Sequence, residues 1–376
     1  MRRLMTRKIL MVATLICAAI HLYSCTKSDG DKTPSSTRKG INLTDNASYA
    51  NCFIVSSAGE YYFETKLTSG TTPEGIVSAD WIWSTNDVHA DGLVENVTYD
   101  NGYISFSAKS GKGNVVLGAF DKDGNVVWSW HLWLTEQPAT QTLDNGAIFM
   151  DRNLGAMSAD PENAVLTYGL KYQWGRKDPF FGGDKNEDSE VFSEANANTV
   201  FNPSIPLEWK AVKKEEISAT VDYTVQNPTT FIWTDKSENG CDWIAERNDY
   251  LWSEENTDNK TDYDPCPAGY RVAYDGAWEG CGYWNVDDDP VNGGRTHTTE
   301  KGEKFWWPLS GTRWGDADAG KLGYVGLNGV GAIWIRTTIN CGYNASCFYY
   351  HQGTYMGSSY AMYRSYGENV RCTKES

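Results

Sequence analysis

The chain is poor in the residues that most chemistry at neutral pH requires. Five histidines, His21, His89, His131, His297 and His351, are scattered through 376 residues and form no zinc constellation. No HExxH pair, phosphate-binding glycine loop, dinucleotide fingerprint or nucleophile elbow occurs, so the sequence offers no motif for the common hydrolases and nucleotide enzymes. Basic residues are scarce as well. The 33 Lys and Arg face 49 Asp and Glu, a formal charge of −16, which argues against nucleic acid as a partner. After the first 24 residues there is no run of 18 apolar residues, so no second segment is suited to span a bilayer.

What is present begins with an export signal over residues 1–24. Arg2, Arg3, Arg7 and Lys8 precede an apolar run from Ile9 to Ile20 that is too short for a stable membrane helix. Leu22-Tyr23-Ser24-Cys25 resembles a bacterial lipobox, with Tyr23 departing from the usual small or aliphatic residue. Cys25 is therefore the expected lipidation site, and an ordinary secretory signal with a chance cysteine is the alternative. Residues 25–40, rich in Ser, Lys, Asp and Pro, cannot bury a core and read as a flexible tether. Removing the signal leaves 29 basic against 49 acidic residues, formally −20. Attachment to a membrane would then come from the lipid alone.

About 350 mature residues exceed one ordinary domain, and the texture changes once along them. Residues 41–137 read as short strands separated by Gly, Asn and Asp turns, the size of an immunoglobulin-like β-sandwich. Val115 to Phe120 and Val126 to Leu134 flank a turn at Asp121-Lys122-Asp123-Gly124-Asn125. In the second strand Val126, Trp128, Trp130, Leu132 and Leu134 alternate with their neighbours, the pattern of one face turned to a core. The turn is a hairpin turn rather than a calcium loop, because nothing downstream completes that motif. A polar stretch at residues 135–140 marks the boundary. From 140 to 376 the chain carries longer loops, more aromatics and short helices expected near Pro206 to Glu215 and Tyr274 to Glu279, so composition leads to a loop-rich α+β domain. Six cysteines, Cys241, Cys266, Cys281, Cys341, Cys347 and Cys372, cluster there, and in an exported chain they read as disulfides with fifteen possible pairings. Cys52, alone in the first half, reads as a buried apolar-like thiol.

Four ordered segments give the second half a resemblance. They are residues 143–155 (LDNGAIFMDRNLG), 168–176 (YGLKYQWGR), 264–272 (DPCPAGYRV) and 368–372 (ENVRC). Together they resemble the FISUMP, or major paralogous, domain, which is distantly similar to C-type-lectin-like and formylglycine-generating-enzyme folds. The first half looks like the sandwich that precedes such domains in surface and fimbrial lipoproteins of anaerobic Gram-negative gut bacteria. The resemblance implies an all-β sandwich followed by an α+β, C-type-lectin-like domain, anchored by lipid in the outer membrane. Each segment also has an explanation without ligand. Cys266 and Cys372 would tie the ends of the domain together, Cys341 and Cys347 would staple one loop, and Cys241 with Cys281 remains. Asp151, Arg152 and Asn153 read as a buried polar knot. The sugar-and-calcium tripeptides of C-type lectins are missing, so no metal and no cofactor are expected. Asp287, Asp288 and Asp289 read as a solvated acidic loop.

Two functional signals remain. A late cysteine pair serves formylglycine-generating enzymes, but Cys341 and Cys347 lack that family's arginine-rich context, and a structural disulfide explains them with fewer assumptions. The other signal is aromatic: tryptophans and tyrosines from Trp284 to Tyr366 are interleaved with Gly, Asn and Ser. Flat rings beside small polar residues suit sugar faces or protein surfaces. Trp314, Tyr355 and Tyr360 are the candidate ligand-binding residues, because Gly315, Asp316, Gly353, Gly357, Ser358 and Ser359 mark loops there. The sequence thus leads to a lipid-anchored surface adhesin or fimbria-associated protein, without catalysis, that binds glycans or glycoproteins. A structural subunit docking other surface or fimbrial proteins is the alternative.

Overall fold

Alternating apolar residues build the first half. In the computed structural model, Val126–Leu134 lies antiparallel to Gly113–Phe120. Their turn is held by Asp121, whose Oδ1 accepts the backbone N–H groups of Asp123 and Asn125 at 2.9 Å each, and by Gly124 at φ 82°. The structure describes residues 38–85, 91–183, 199–235, 242–281, 286–338, 344–353 and 355–375, and of Tyr355 and Met356 only the backbone. The signal and most of the tether, with Cys25, lie outside the described residues, as do His89, Cys241, Trp284, Cys341 and Tyr343. Among the described residues no helix is long and apolar enough to cross a membrane.

One sheet has the strand order Ile41–Asn42, Gly59–Glu64, Tyr103–Ala108, Val94–Asp100. The other runs Thr199–Phe201, Ser78–Thr85, Gly113–Phe120, Val126–Leu134, Cys52–Val55. Phe53, Phe63, Ile104, Phe106, Leu117, Trp130 and Leu132, drawn from both sheets, share one apolar core. Each of these large side chains contributes about 1.5–3 kcal/mol by leaving water.

The strand Val126–Leu134 departs from the one-faced pattern of its sequence, since it is buried on both faces. Its second face is covered by the second half of the chain. Trp133 Nε1 donates to Ala156 O at 2.9 Å, and Lys177 Nζ donates to Ser129 O at 3.2 Å while pairing with Asp178 at 2.7 Å. Asn114 donates to Gly155 O at 2.9 Å, and Asn51 Nδ2 donates to the carbonyls of Asp262 and Asp264 at 2.6 and 2.9 Å. The strand Thr199–Phe201, from beyond the polar linker, pairs with Ser78–Thr85 and extends the first-half sheet. Residues 39–376 accordingly form one compact unit.

With 43% strand and 8% helix the chain is β-rich throughout. One α-helix, Val221–Gln226, starts at Thr220, whose Oγ1 accepts the Tyr223 N–H at 3.1 Å. A single 3-10 turn, Asp275–Trp278, occupies the place of the second expected helix. The first expected helix, near Pro206 to Glu215, is instead irregular chain, a short strand and a 3-10 turn at Lys214–Glu216. Lys210–Lys213 runs parallel to Thr230–Trp233 because Ala211 and Val212 pair with Phe231 and Ile232. The other sheets of the second half are small. Tyr270–Val272, Cys372–Lys374, Ile148–Met150 and Thr140–Thr142 form one, and Tyr172–Gln173, Gly367–Glu368, Ser310–Arg313 and Leu322–Val325 another. Val330–Thr338, Asn344–His351 and Tyr355–Tyr363 form an antiparallel meander.

Cys266 and Cys372 are joined by a disulfide across 106 residues of sequence. Each of the other two bridges expected from the sequence has one cysteine, Cys241 or Cys341, outside the described residues. Cys347 points inward from its strand into the core and Cys281 is buried after the 3-10 turn, and neither is bonded to a second cysteine. Cys52 is likewise a free, buried thiol. Replacing Cys266 and Cys372 together by serine is expected to lower unfolding free energy by about 4–5 kcal/mol, as a loop of that length implies. Urea denaturation of the two proteins side by side checks this.

Candidate functional site

A pocket of about 490 Å³ opens where the meander meets the sheet containing Ser310–Arg313, a volume within the usual range for small-ligand sites. Aromatic side chains form most of its wall: Trp314, Tyr324, Tyr349, Tyr360, Tyr363 and Tyr366. The rings touch in series. Tyr349 and Tyr360 are stacked with centroids 4.5 Å apart, and Trp314 meets Tyr324 and Tyr366 edge-on at 5.5 and 5.3 Å. Tyr363 meets Tyr366 edge-on at 5.5 Å. Such contacts contribute about 0.5–1.5 kcal/mol each beyond burial and hold the rings in fixed orientations.

The local backbone explains the positions. Trp314 ends the strand Ser310–Arg313 and begins a tight loop closed by Trp314 N–H to Lys321 O at 2.9 Å and Gly320 N–H to Trp314 O at 2.7 Å. Gly315 lets this loop lie against the turn carrying Tyr366, since a Cβ there would overlap the backbone of Ser365. Tyr366 is fixed by its hydroxyl, which donates to Asp316 Oδ2 at 2.6 Å. In Asn344–His351 alternation turns Phe348 and Tyr350 into the core and leaves Tyr349 half-buried toward the pocket. The pairing register shifts between Cys347 and Tyr349, so that Tyr360 lies opposite Cys347 and stacks on Tyr349. Tyr324, on the pocket wall, sits in the left-handed region at φ 58°, as does Ser359, next to Tyr360 in sequence, at φ 66°. For a bulky tyrosine that conformation is an outlier and costs about 1–3 kcal/mol.

Behind the rings lies buried charge. Glu368, fully buried, meets the Thr312 hydroxyl of the pocket wall. Burial pushes this carboxyl up to about 8, against the pull of Lys171. Lys171 is buried too, and loss of solvent lowers its ammonium to about 8. Lys171 Nζ donates to Ser310 Oγ at 3.2 Å, to Asn369 Oδ1 at 2.9 Å, and to Gly311 O. Burial raises Tyr349 to about 12, so its hydroxyl stays neutral.

Of the three sequence-chosen residues, Trp314 and Tyr360 share this pocket, and Tyr360 is 41% exposed. Tyr355 begins the strand that carries Tyr360, and its side chain lies outside the described residues. Tyr324 and Thr312 were not singled out by the sequence, and only their strand register brings them in. By contrast Trp306, Trp307, Trp334 and Tyr350 are core residues. The polar knot exists: Arg152 binds Asp151 at 2.8 Å and Glu136 at 2.7 Å, and Asn153 accepts Arg371 Nε at 3.1 Å. Asp288 pairs with Arg295 at 2.8 Å and Asp289 caps the turn at Val291 and Asn292. No group of three His, Cys, Asp or Glu suited to a metal occurs among the described residues. Burial raises the Cys347 thiol, the direction opposite to that of an activated thiolate.

Glu368 and Lys171 set a pH signature on stability. A carboxyl near 4.5 in the unfolded chain and near 8 in the fold takes up a proton on folding, so stability falls as pH rises between those values. Lys171, near 10.5 unfolded and near 8 folded, gives the opposite slope above pH 8. Chemical denaturation across this range is expected to show a minimum near pH 8, and Glu368→Gln is expected to remove the descending limb. No family model matches the chain, and neither do any curated protein or solved structure.

Proposed function

We propose that the chain is a non-catalytic binding protein of the cell surface, an adhesin that takes a glycan or glycoprotein sugar in the aromatic pocket. The observation that carries this reading is the convergence of six partly or largely buried rings from separate strands and turns on one cavity. Apolar faces bordered by hydroxyls suit a sugar ring, whose C–H face stacks on aromatic carbon while its hydroxyls meet tyrosine and threonine oxygens. The residues are held by strands and by a loop closed on itself, so little ordering entropy is lost on binding. The Lys171 ammonium is taken up by Ser310 and Asn369 of the fold rather than by the cavity, which favours binding over turnover.

The lipoprotein reading belongs to the same proposal. Its support is the order of charge, apolar run and Leu22-Tyr23-Ser24-Cys25 at the N-terminus, with the outer membrane as the destination that the family resemblance implies. The lectin-like architecture of the second half likewise rests on that resemblance. Assembly by strand addition, the route open to a structural subunit, has weaker support. Val94–Asp100 closes one sheet, but it is bulged between Glu95 and Thr98 and carries Glu95 and Asp100, features that blunt an edge.

Trp314→Ala and Tyr360→Ala are each expected to weaken glycan binding at least about tenfold with thermal stability nearly unchanged for Tyr360→Ala. Tyr355→Ala is expected to act in the same direction. A glycan and mucin array, followed by titration of any positive, checks both. A well-folded protein with a blank array would turn the reading toward protein partners. Cys25→Ser is expected to abolish incorporation of a labelled fatty acid, seen by gel after metabolic labelling, and persistence of the label would end the lipoprotein reading.

A further inference from the structure

The electrostatics of the pocket select among the ligands that its shape would admit. Among the described residues, no lysine, arginine or histidine lines it. A carboxylate or phosphate on the ligand would therefore be desolvated against ring faces, which carry the negative lobe of the aromatic quadrupole. A cation meets the opposite situation. Ring faces attract it, and the effect grows when water is excluded.

Two carboxyl groups stand directly behind the wall. Asp316 accepts the hydroxyl hydrogen of Tyr366 at 2.6 Å, which feeds electron density into that ring. Glu368 lies beneath Thr312, whose hydroxyl it meets, and acts electrostatically on Tyr349. A fully buried carboxyl is costly in a folded chain unless hydrogen bonds and a counter-charge compensate it. Lys171 compensates it in part, but its ammonium is directed to Ser310, Gly311 and Asn369.

We infer that the pocket receives an ammonium group, quaternary or primary, with the rings around it and the Asp316 and Glu368 carboxyls behind them. The inference rests on the reading of this cavity as the binding site, and it narrows the ligand class to alkylammonium compounds and to glycans bearing a free amine. Glu368 and Lys171 change charge in the same direction with pH. Rising pH adds negative charge at the first or removes positive charge from the second, and either strengthens the field that a cation meets. Arg313 acts on Lys171 as a neighbouring positive charge, and the Tyr349 hydroxyl stays protonated until about 12.

The test is calorimetric titration of the purified full chain with choline and with its uncharged isostere, in which a tert-butyl group replaces the trimethylammonium. A neutral hexose is titrated in parallel. Choline is expected to bind at least about tenfold more tightly than the isostere. That preference is expected to shrink below pH 8 and to be lost in Glu368→Gln. Asp316→Asn, near the surface, is expected to reduce it several-fold and serves if Glu368→Gln does not fold. Equal affinity for choline and the isostere overturns the cation inference. Binding of the hexose alone overturns it too, while leaving the glycan reading intact. Choline binding that is unchanged by Trp314→Ala and Tyr360→Ala places the cation elsewhere and overturns the assignment to this pocket.

Discussion

The second half of the chain depends on one short stretch near its end, Gly367 to Lys374, because several small sheets have no other common member. Gly367–Glu368 pairs with Tyr172–Gln173 and touches Ser310–Arg313, and Cys372–Lys374 lies between Ile148–Met150 and Tyr270–Val272. Between them Asn369 exchanges backbone hydrogen bonds with Ala332 and Trp334 of the meander. The Asn369 side chain is used to capacity. Its amide donates to Tyr168 O and Leu170 O at 2.8 and 2.9 Å, and its oxygen accepts Lys171 Nζ at 2.9 Å and the Ser310 hydroxyl. Arg371 follows, donating to Asn153 Oδ1 and to Trp306 O at 3.1 and 2.9 Å, and the disulfide at Cys372 locks the position. A β-rich fold with little helix leaves many backbone groups outside regular ladders, and buried side-chain amides and guanidinium groups are what satisfy them.

The same need explains the abundance of tryptophan. Nine of the largest fully buried side chains are tryptophans and the other three are Arg176, Arg313 and Arg364. Arg364 lies over the Trp174 ring at 4.5 Å, Arg371 over Trp307 at 4.3 Å and Arg313 over Trp209 at 4.9 Å. A guanidinium flat on an indole keeps its in-plane donors free for carbonyls, so one contact supplies packing, charge compensation and hydrogen bonds together. Buried indole N–H groups do similar work: those of Trp174, Trp243 and Trp334 donate to Ile335 O, Trp174 O and Tyr172 O. Most of the aromatic excess is therefore structural, and the pocket is what remains of it at the surface.

How much of this was legible follows from which interactions are local. The hairpin at Asp121–Asn125 was readable because its turn chemistry and alternation lie within a few residues. That Trp133 faces a second core was not, since its cover, Ala156 and the segment around Lys177, comes from beyond the linker. The Lys210–Lys213 strand was misread as helix because its parallel partner, Thr230–Trp233, is twenty residues away in sequence and gives no local signal. Spacing suggests a bridge from Cys347 to Cys341, which lies outside the described residues, whereas the burial of Cys347 in a core shared with Trp174 and Val370 comes from segments distant in sequence. In the pocket, neighbouring glycines sufficed to single out Trp314 and Tyr360, whereas Tyr324 and Tyr349 enter through strand register, which composition does not encode.

The wall of the pocket is costly in a way that a pure packing account does not explain. Tyr324 holds left-handed backbone, the register slips between Cys347 and Tyr349, and a fully buried carboxyl lies beneath Thr312. Elsewhere in the second half buried polar groups are tied to several partners, as Asn369 and Arg371 illustrate. Strain of this kind persists only where surrounding structure over-determines it, and here the disulfide-locked terminal stretch and the ring-to-ring contacts do so. An arrangement needed only for packing could relax by turning Tyr324 outward or by placing an apolar residue at 368. The fold instead maintains fixed rings and two carboxyl groups, Asp316 and Glu368, beside an open cavity, a cost that the proposed binding would offset.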